Sequence, residues 1–230
     1  MHRKIGILGG MSPESTVTYY EEITRTYTKR YGNYGYPEIL IYSVNFQDFV
    51  TWQHRGDWPA AAQAMACCLR SLKRAGADFG LIATNTMHIV FGEVQAAVDL
   101  PLLSIVDATA SSIVEARLKT VGLLGTAFTM RESFYRDGLA QQGIDVLVPP
   151  EEDQERMNRV IYDELCRGEI RSESRDYFLQ VVGKLAETGA EGIVLGCTEI
   201  PLLIRPEDTS LHVFNTTVLH ARKALDYALG

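Results

Sequence analysis

The sequence predicts an α/β protein of two pseudo-symmetric lobes, each a parallel sheet flanked by helices, with a site in the cleft between them. Three observations predict it. First, the chain repeats itself: residues 75–86 read Ala-Gly-Ala-Asp-Phe-Gly-Leu-Ile-Ala-Thr-Asn-Thr, and residues 188–199 read Thr-Gly-Ala-Glu-Gly-Ile-Val-Leu-Gly-Cys-Thr-Glu. Aligning Gly76 with Gly189 places Thr84 on Cys197, eight residues further on in both copies. Second, the opening Ile5-Gly6-Ile7-Leu8-Gly9-Gly10-Met11-Ser12 returns as Val121-Gly122-Leu123-Leu124-Gly125-Thr126, at a similar distance from its partner loop. Third, short apolar runs alternate with longer amphipathic runs, the pattern of strands joined by crossover helices. Gene duplication accounts for all three.

The elements follow in order. Runs rich in β-branched residues or leucine at 4–8, 38–44, 79–84, 102–106, 120–124, 144–147, 192–196 and 211–214 read as strands. Between them, 13–30, 57–75, 90–98, 107–116, 129–142, 153–167, 172–188 and 217–229 read as helices. Tyr31-Gly32-Asn33-Tyr34-Gly35-Tyr36-Pro37 is a turn-rich loop whose tyrosines either pack on the surface or line a cleft. The repeat divides the chain into a first lobe of 1–104 plus 211–230 and a second of 105–210. In open α/β sheets ligands sit at the carboxyl ends of the strands, so Gly9, Thr84, Gly125 and Cys197 fall where a ligand is expected.

Composition excludes several functions. The 230 residues carry a formal net charge of −7 and no basic stripe, which argues against a nucleic-acid surface. No apolar stretch is long enough to span a bilayer. The apolar run after the basic start ends at Gly9-Gly10, too short for a signal peptide. Cys67, Cys68, Cys166 and Cys197 show no metal-ligand spacing, and free thiols suit a reducing, cytoplasmic setting.

Three loops can carry chemistry. In Gly9-Gly10-Met11-Ser12-Pro13-Glu14, Ser12 is a plausible N-cap with Pro13 at the first helical position, and the amides there favour an anion such as a carboxylate. The turn fits neither the phosphate-loop nor the dinucleotide fingerprint. Thr84-Asn85-Thr86-Met87-His88 sets small polar side chains after a buried strand; His88 is either a structural group or a catalyst. Gly196-Cys197-Thr198-Glu199 places a thiol just past a buried strand. Amide donors or a helix N-terminus would lower its pKa and supply a thiolate base or nucleophile.

Together, Gly9-Gly10-Met11, Asn85-Thr86 with His88, and Gly196-Cys197-Thr198-Glu199 resemble the aspartate/glutamate racemase family of cofactor-independent amino-acid racemases, across essentially the whole chain. The resemblance implies two lobes enclosing an amino-acid substrate, one residue taking the α-proton on one face and its counterpart donating on the other. In most of the family both are cysteines. Here Thr84 stands in place of the first, as in an L-aspartate/glutamate-specific branch with the Thr/Cys pair. The resemblance implies Thr84 and Cys197 as catalytic residues, with Met11, Ser12, Gln53, Asn85, Thr86, Thr126, Thr198 and Glu199 binding substrate. It further implies no cofactor, no metal and a homodimer. Gln53-His54-Arg55 is expected in a loop near the substrate's side chain, Arg55 being either a contact or a solvated charge. Two alternatives stay open: a decarboxylase or isomerase of the same superfamily, or an amino-acid-binding protein without turnover.

Overall fold

The structure, a computed structural model, describes residues 2–230. They form two compact units, one running to Ile105 and including Thr217–Gly230, the other Val106–Thr216. All eight expected strands are present.

The first unit opens with strand β1 (Ile5–Gly9), helix α1 (Pro13–Tyr31) and strand β2 (Ile39–Ser43). Helices α2 (Phe46–Arg55) and α3 (Trp58–Arg74) follow, then β3 (Phe79–Ile82), α4 (Phe91–Ala97) and β4 (Leu102–Leu103). The sheet is parallel, in the order β2-β1-β3-β4. Alternate side chains of its central strands enter opposite cores. Ile5, Ile7, Phe79 and Leu81 pack against Tyr19, Ile23 and Tyr27 of α1. Leu8 and Ile82 pack on the other side, against Phe49 of α2 and Ala61, Met65 and Leu69 of α3.

The second unit holds α5 (Ile105–Glu115), β5 (Thr120–Gly125), α6 (Ala127–Arg131), α7 (Ser133–Ala140) and β6 (Asp145–Leu147). Then come α8 (Glu151–Asp163), α9 (Ser172–Glu187), β7 (Gly192–Gly196) and β8 (His212–Asn215), and α10 (Thr216–Leu229) ends the chain. This sheet is also parallel, in the order β6-β5-β7-β8, the order of the first sheet over again. The register repeats too. Leu8 pairs with Ile82, which sets Gly9 level with Ala83, just as Gly125 pairs with Gly196. Thr84 and Cys197 are the next residues in their chains.

Four expectations change. The run 211–214, expected in the first lobe, forms β8, which pairs with β7 and closes the second sheet, because Leu211 and Val213 pack against the core of that unit. Only the helix beyond it, through Ala221, Ala224, Leu225 and Ala228, joins the core of the first. Each unit therefore takes its last helix from the far half of the chain. The single helix expected over 129–142 is two, separated where Glu132 adopts an extended backbone (ψ 153°). The helix expected over 153–167 ends at Asp163; Leu165–Arg167 is a separate 3₁₀ turn closed by Gly168 at φ 76°. Gln53-His54-Arg55 lies in the last turn of α2, not in a loop. Asn45 caps that helix, Gly56 ends it at φ 66°, and Phe46, Phe49, Val50 and Gln53 recur at helical spacing.

The repeat reaches one buried polar pair. Tyr19 stands ten residues after Gly9, and Tyr135 ten after Gly125. Each is fully buried, and each phenol finds a partner on its unit's exchanged helix. Tyr135 bonds Thr109 of α5 and also Thr216, while Tyr19 lies 2.8 Å from Nδ1 of His220 on α10. The other nitrogen of His220 donates to the Leu103 carbonyl (3.0 Å), so Nδ1 accepts from Tyr19 and the ring is neutral. Burial pushes the His220 pKa down to about 3. The unfolded chain takes up that proton below about pH 6.5 and the folded chain does not. Stability should therefore fall as pH drops from about 6.5 towards 3, and His220→Gln should flatten that fall. Urea unfolding from pH 7.5 to 5 measures it; equal slopes for the two proteins would contradict the assignment.

Candidate active site

In the first unit the site residues gather past the ends of β1 and β3. Ser12 caps α1, its hydroxyl accepting from the Ser15 amide, and Pro13 opens the helix as expected. The preceding turn requires its glycines. Gly10 has φ +89°, and a Cβ on it would stand 2.5 Å from the Val44 nitrogen; one on Gly9 would stand 2.4 Å from the Thr16 hydroxyl. That hydroxyl accepts from the Gly10 amide (2.8 Å) and donates to the Ser12 carbonyl (3.0 Å). The Ser15 hydroxyl proton is shared between the carbonyls of Ser12 (2.9 Å) and Ala83 (3.2 Å), the residue before Thr84, so the Gly-Gly turn and the Thr84 loop are joined through one side chain. Ser15 and Thr16 were not singled out in the sequence. Their signal is position, one helical turn past the cap and facing back onto it.

Thr84, Asn85 and Thr86 are all buried at the end of β3. Met11 is packed in the apolar core with Phe49, Met65, Ile82 and Met87. Gln53 is buried on α2. Arg55 is exposed at the end of that helix, and Tyr31, Tyr34 and Tyr36 lie on the surface. His88 is enclosed, with a role taken up below.

In the second unit Thr126 and Cys197 follow adjacent strands. Thr126 caps α6, accepting from the Thr129 amide. Cys197 is 7% exposed and Glu199 5%. The Cys197 thiol lies 3.1 Å from Oε2 of Glu199, and the Thr198 hydroxyl donates to the same oxygen from 2.5 Å. This corrects one expectation. Burial, seconded by the Glu199 carboxylate, pushes the Cys197 thiol well above its ordinary range; the Glu199 amide only partly offsets this. Cys197 is a neutral thiol whose proton points at a carboxylate. Tyr162, which the sequence did not mark, is pushed up chiefly by burial, with the Glu199 carboxylate adding to it. Among the described residues, no group of three His, Cys, Asp or Glu side chains is arranged to hold a metal ion.

The pair makes a chemical forecast. Removing the Glu199 charge removes one of the causes that hold the thiol neutral. In Glu199→Gln the pH midpoint for iodoacetamide alkylation of Cys197 should fall by about one unit. Peptide mass spectrometry reads it, and an unchanged or higher midpoint would contradict the electrostatic account.

Comparison with known proteins identifies the family. The sequence profile described as Asp/Glu/hydantoin racemase matches residues 8–224. An Asp/Glu racemase candidate from Yersinia pestis superposes with a TM-score of 0.93 at 45% identity, covering 99% of this chain and 100% of that one. An aspartate racemase homologue from Pyrococcus horikoshii gives 0.87 at 38% identity, with the same coverage. The broad specificity amino-acid racemase RacX of Bacillus subtilis is 31% identical over 146 residues, a match spanning 62% of this chain and 63% of RacX. The chain belongs to the Asp/Glu/hydantoin racemase family, a family of isomerases.

Proposed function

We propose that this chain is a cofactor-independent racemase of aspartate or glutamate, in which Cys197 and Thr84 act on opposite faces of one α-carbon. One observation carries the reading: the two residues hold the same register position, one step past equivalent strands of two sheets with the same order. A residue pair related by an internal repeat suits a reaction whose two half-steps are mirror images.

The two partners are not chemically equal. Cys197 works as a base only once its proton has left, and Glu199, in contact with the sulfur, is the group placed to take it. An incoming substrate ammonium would favour the resulting thiolate. The thiolate then takes the α-proton of the L-enantiomer, and the electron pair moves into the carboxylate as an enediolate. Hydroxyl and amide donors at the strand ends stabilise that charge. Thr84 delivers a proton to the other face. Its alkoxide is a far weaker base than an α-carbanion, so donation runs downhill, and solvent restores the hydroxyl. The equilibrium between free enantiomers stays at one to one, since no catalyst moves it. Met11, Ser12, Gln53, Asn85, Thr86, Thr126 and Thr198 are the remaining residues of the proposed binding set. A homodimer is the assembly this reading takes from the family.

One observation favours a second reading, a racemase of uncharged amino acids. The loops that follow the strands, 10–12, 44–45, 83–85, 104, 126, 148–150 and 197–199, contain no Lys or Arg to meet a side-chain carboxylate. RacX is named for broad specificity. Chiral chromatography of a panel of acidic and neutral L-amino acids separates the two readings.

The chemistry is tested by substitution. Cys197→Ala should abolish α-deuterium exchange of the L-substrate while the circular dichroism spectrum is retained. Thr84→Cys should speed exchange from the D side, because it puts a thiol there. Exchange at wild-type rate in Cys197→Ala, or no gain on the D side in Thr84→Cys, would refute the reading.

A further inference from the structure

His88 lies four residues after Thr84 and is only 4% exposed. Both its ring nitrogens are committed. Nδ1 stands 2.8 Å from the Thr84 carbonyl oxygen, and the Ile105 amide points at Nε2 from 3.1 Å. An amide can only donate, so Nε2 is the bare nitrogen. The ring proton sits on Nδ1 and is donated to Thr84. The Phe91 ring stacks on the imidazole at 5.0 Å and 6° between planes, and the His220 ring stands edge-on at 6.1 Å. Burial holds the ring neutral, with its pKa pushed down to about 4.

Each bond answers a need of the backbone. Ile105 is the first residue of α5, and its amide is one of the donors that a helix leaves without an internal partner. The Thr84 carbonyl lies just past β3 at the start of an irregular loop, where the sheet offers it no neighbour. The Thr84 amide is bonded back to Ile82 (2.9 Å). With its carbonyl held by His88, both polar groups of the Thr84 backbone are fixed, and with them the direction of its Cα–Cβ bond, from which a β-branched side chain has few rotamers in which to present its hydroxyl. The equivalent position in the second copy, counted from Cys197, is Pro201, so this device belongs to the threonine half alone.

We propose that His88 is a positioning residue for the reaction: its Nδ1–H holds the Thr84 carbonyl, and Nε2 anchors that hold to the first amide of α5, so that the Thr84 hydroxyl is aimed at the α-carbon. The proposal rests on the reading that Thr84 delivers a proton.

Two amide substitutions separate the two bonds. Asparagine places its amide where Nδ1 stands and keeps a donor for Thr84; glutamine reaches the Nε2 position and keeps only the Ile105 contact. His88→Asn should keep kcat for L-to-D conversion within about threefold of wild type, and His88→Gln should lower it by about tenfold or more. In both variants α-deuterium exchange of the L-substrate, the step assigned to Cys197, should stay within about threefold. Equal losses in the two variants, wild-type kcat in His88→Gln, or a parallel loss of L-side exchange would overturn the proposal. Thr84→Ala run beside them distinguishes the failures. If it racemises at the wild-type rate, the role of Thr84 itself falls; if it is inactive while His88→Gln is not, only the role of His88 falls. Nitrogen-15 NMR of the wild-type protein supplies a readout independent of how the variants fold. It should show His88 neutral with its proton on Nδ1, and a proton on Nε2 would overturn the proposal.

Discussion

The constraint on which the rest depends is that each sheet is parallel and covered on both faces. A strand buried on both sides can carry only apolar side chains or glycine, which is what Ile5–Gly9, Phe79–Ile82, Thr120–Gly125 and Gly192–Gly196 are along almost their whole length. Polar chemistry is thereby pushed off the strands onto the loops at their carboxyl ends. The central pair of each sheet, β1 with β3 and β5 with β7, ends in the four loops that hold Ser12, Thr84, Thr126 and Cys197. Those loops are fixed by short side-chain bonds to neighbouring backbone: Ser15 to Ala83, Thr16 around Gly10, His88 to Thr84, Thr216 to Leu195. Small polar residues with few rotatable bonds make such contacts at little entropic cost.

Within this scaffold the two copies of the repeat differ at the residue that each brings to the proposed reaction. Glu199 gives Cys197 a proton acceptor in contact with its sulfur, whereas Thr84 has its backbone fixed by a neutral histidine. Burial raises the cost of charge on the Cys197 thiol, and Glu199 beside it is able to move its proton away. The proposed division into a base and a donor therefore rests on what surrounds each residue as much as on the residue itself.

Much of this was legible in the sequence because the information is local. Apolar runs of four to six residues mark the strands, and the offset from Gly76 to Thr84 matches that from Gly189 to Cys197 because equal units need equal lengths of chain. What was not legible depends on tertiary contact. Nothing near residue 211 says that its strand completes the second sheet, since that is decided by its packing against the core of that unit. The Tyr19–His220 pair joins residues 201 positions apart. The protonation of Cys197 is a tertiary matter too. A sequence names Glu199 as a neighbour but shows neither how deeply the thiol is buried nor where that carboxylate points, and burial first, the carboxylate second, favour the thiol over the expected thiolate. Helix α2 is the exception, for its cap at Asn45 and stop at Gly56 are local signals.

The central claim is that two different residues serve the two faces of the α-carbon, and the fate of the α-hydrogen tests it most directly. With L-substrate in deuterium oxide, at low conversion, the D-enantiomer formed should carry deuterium from the solvent-exchanged Thr84 hydroxyl, and the remaining L-substrate should show only the slower wash-in that Cys197 brings about on its own face. Chiral separation followed by mass spectrometry reads both. Transfer of the original protium into the D-product would mean that one group serves both faces, and would contradict the account.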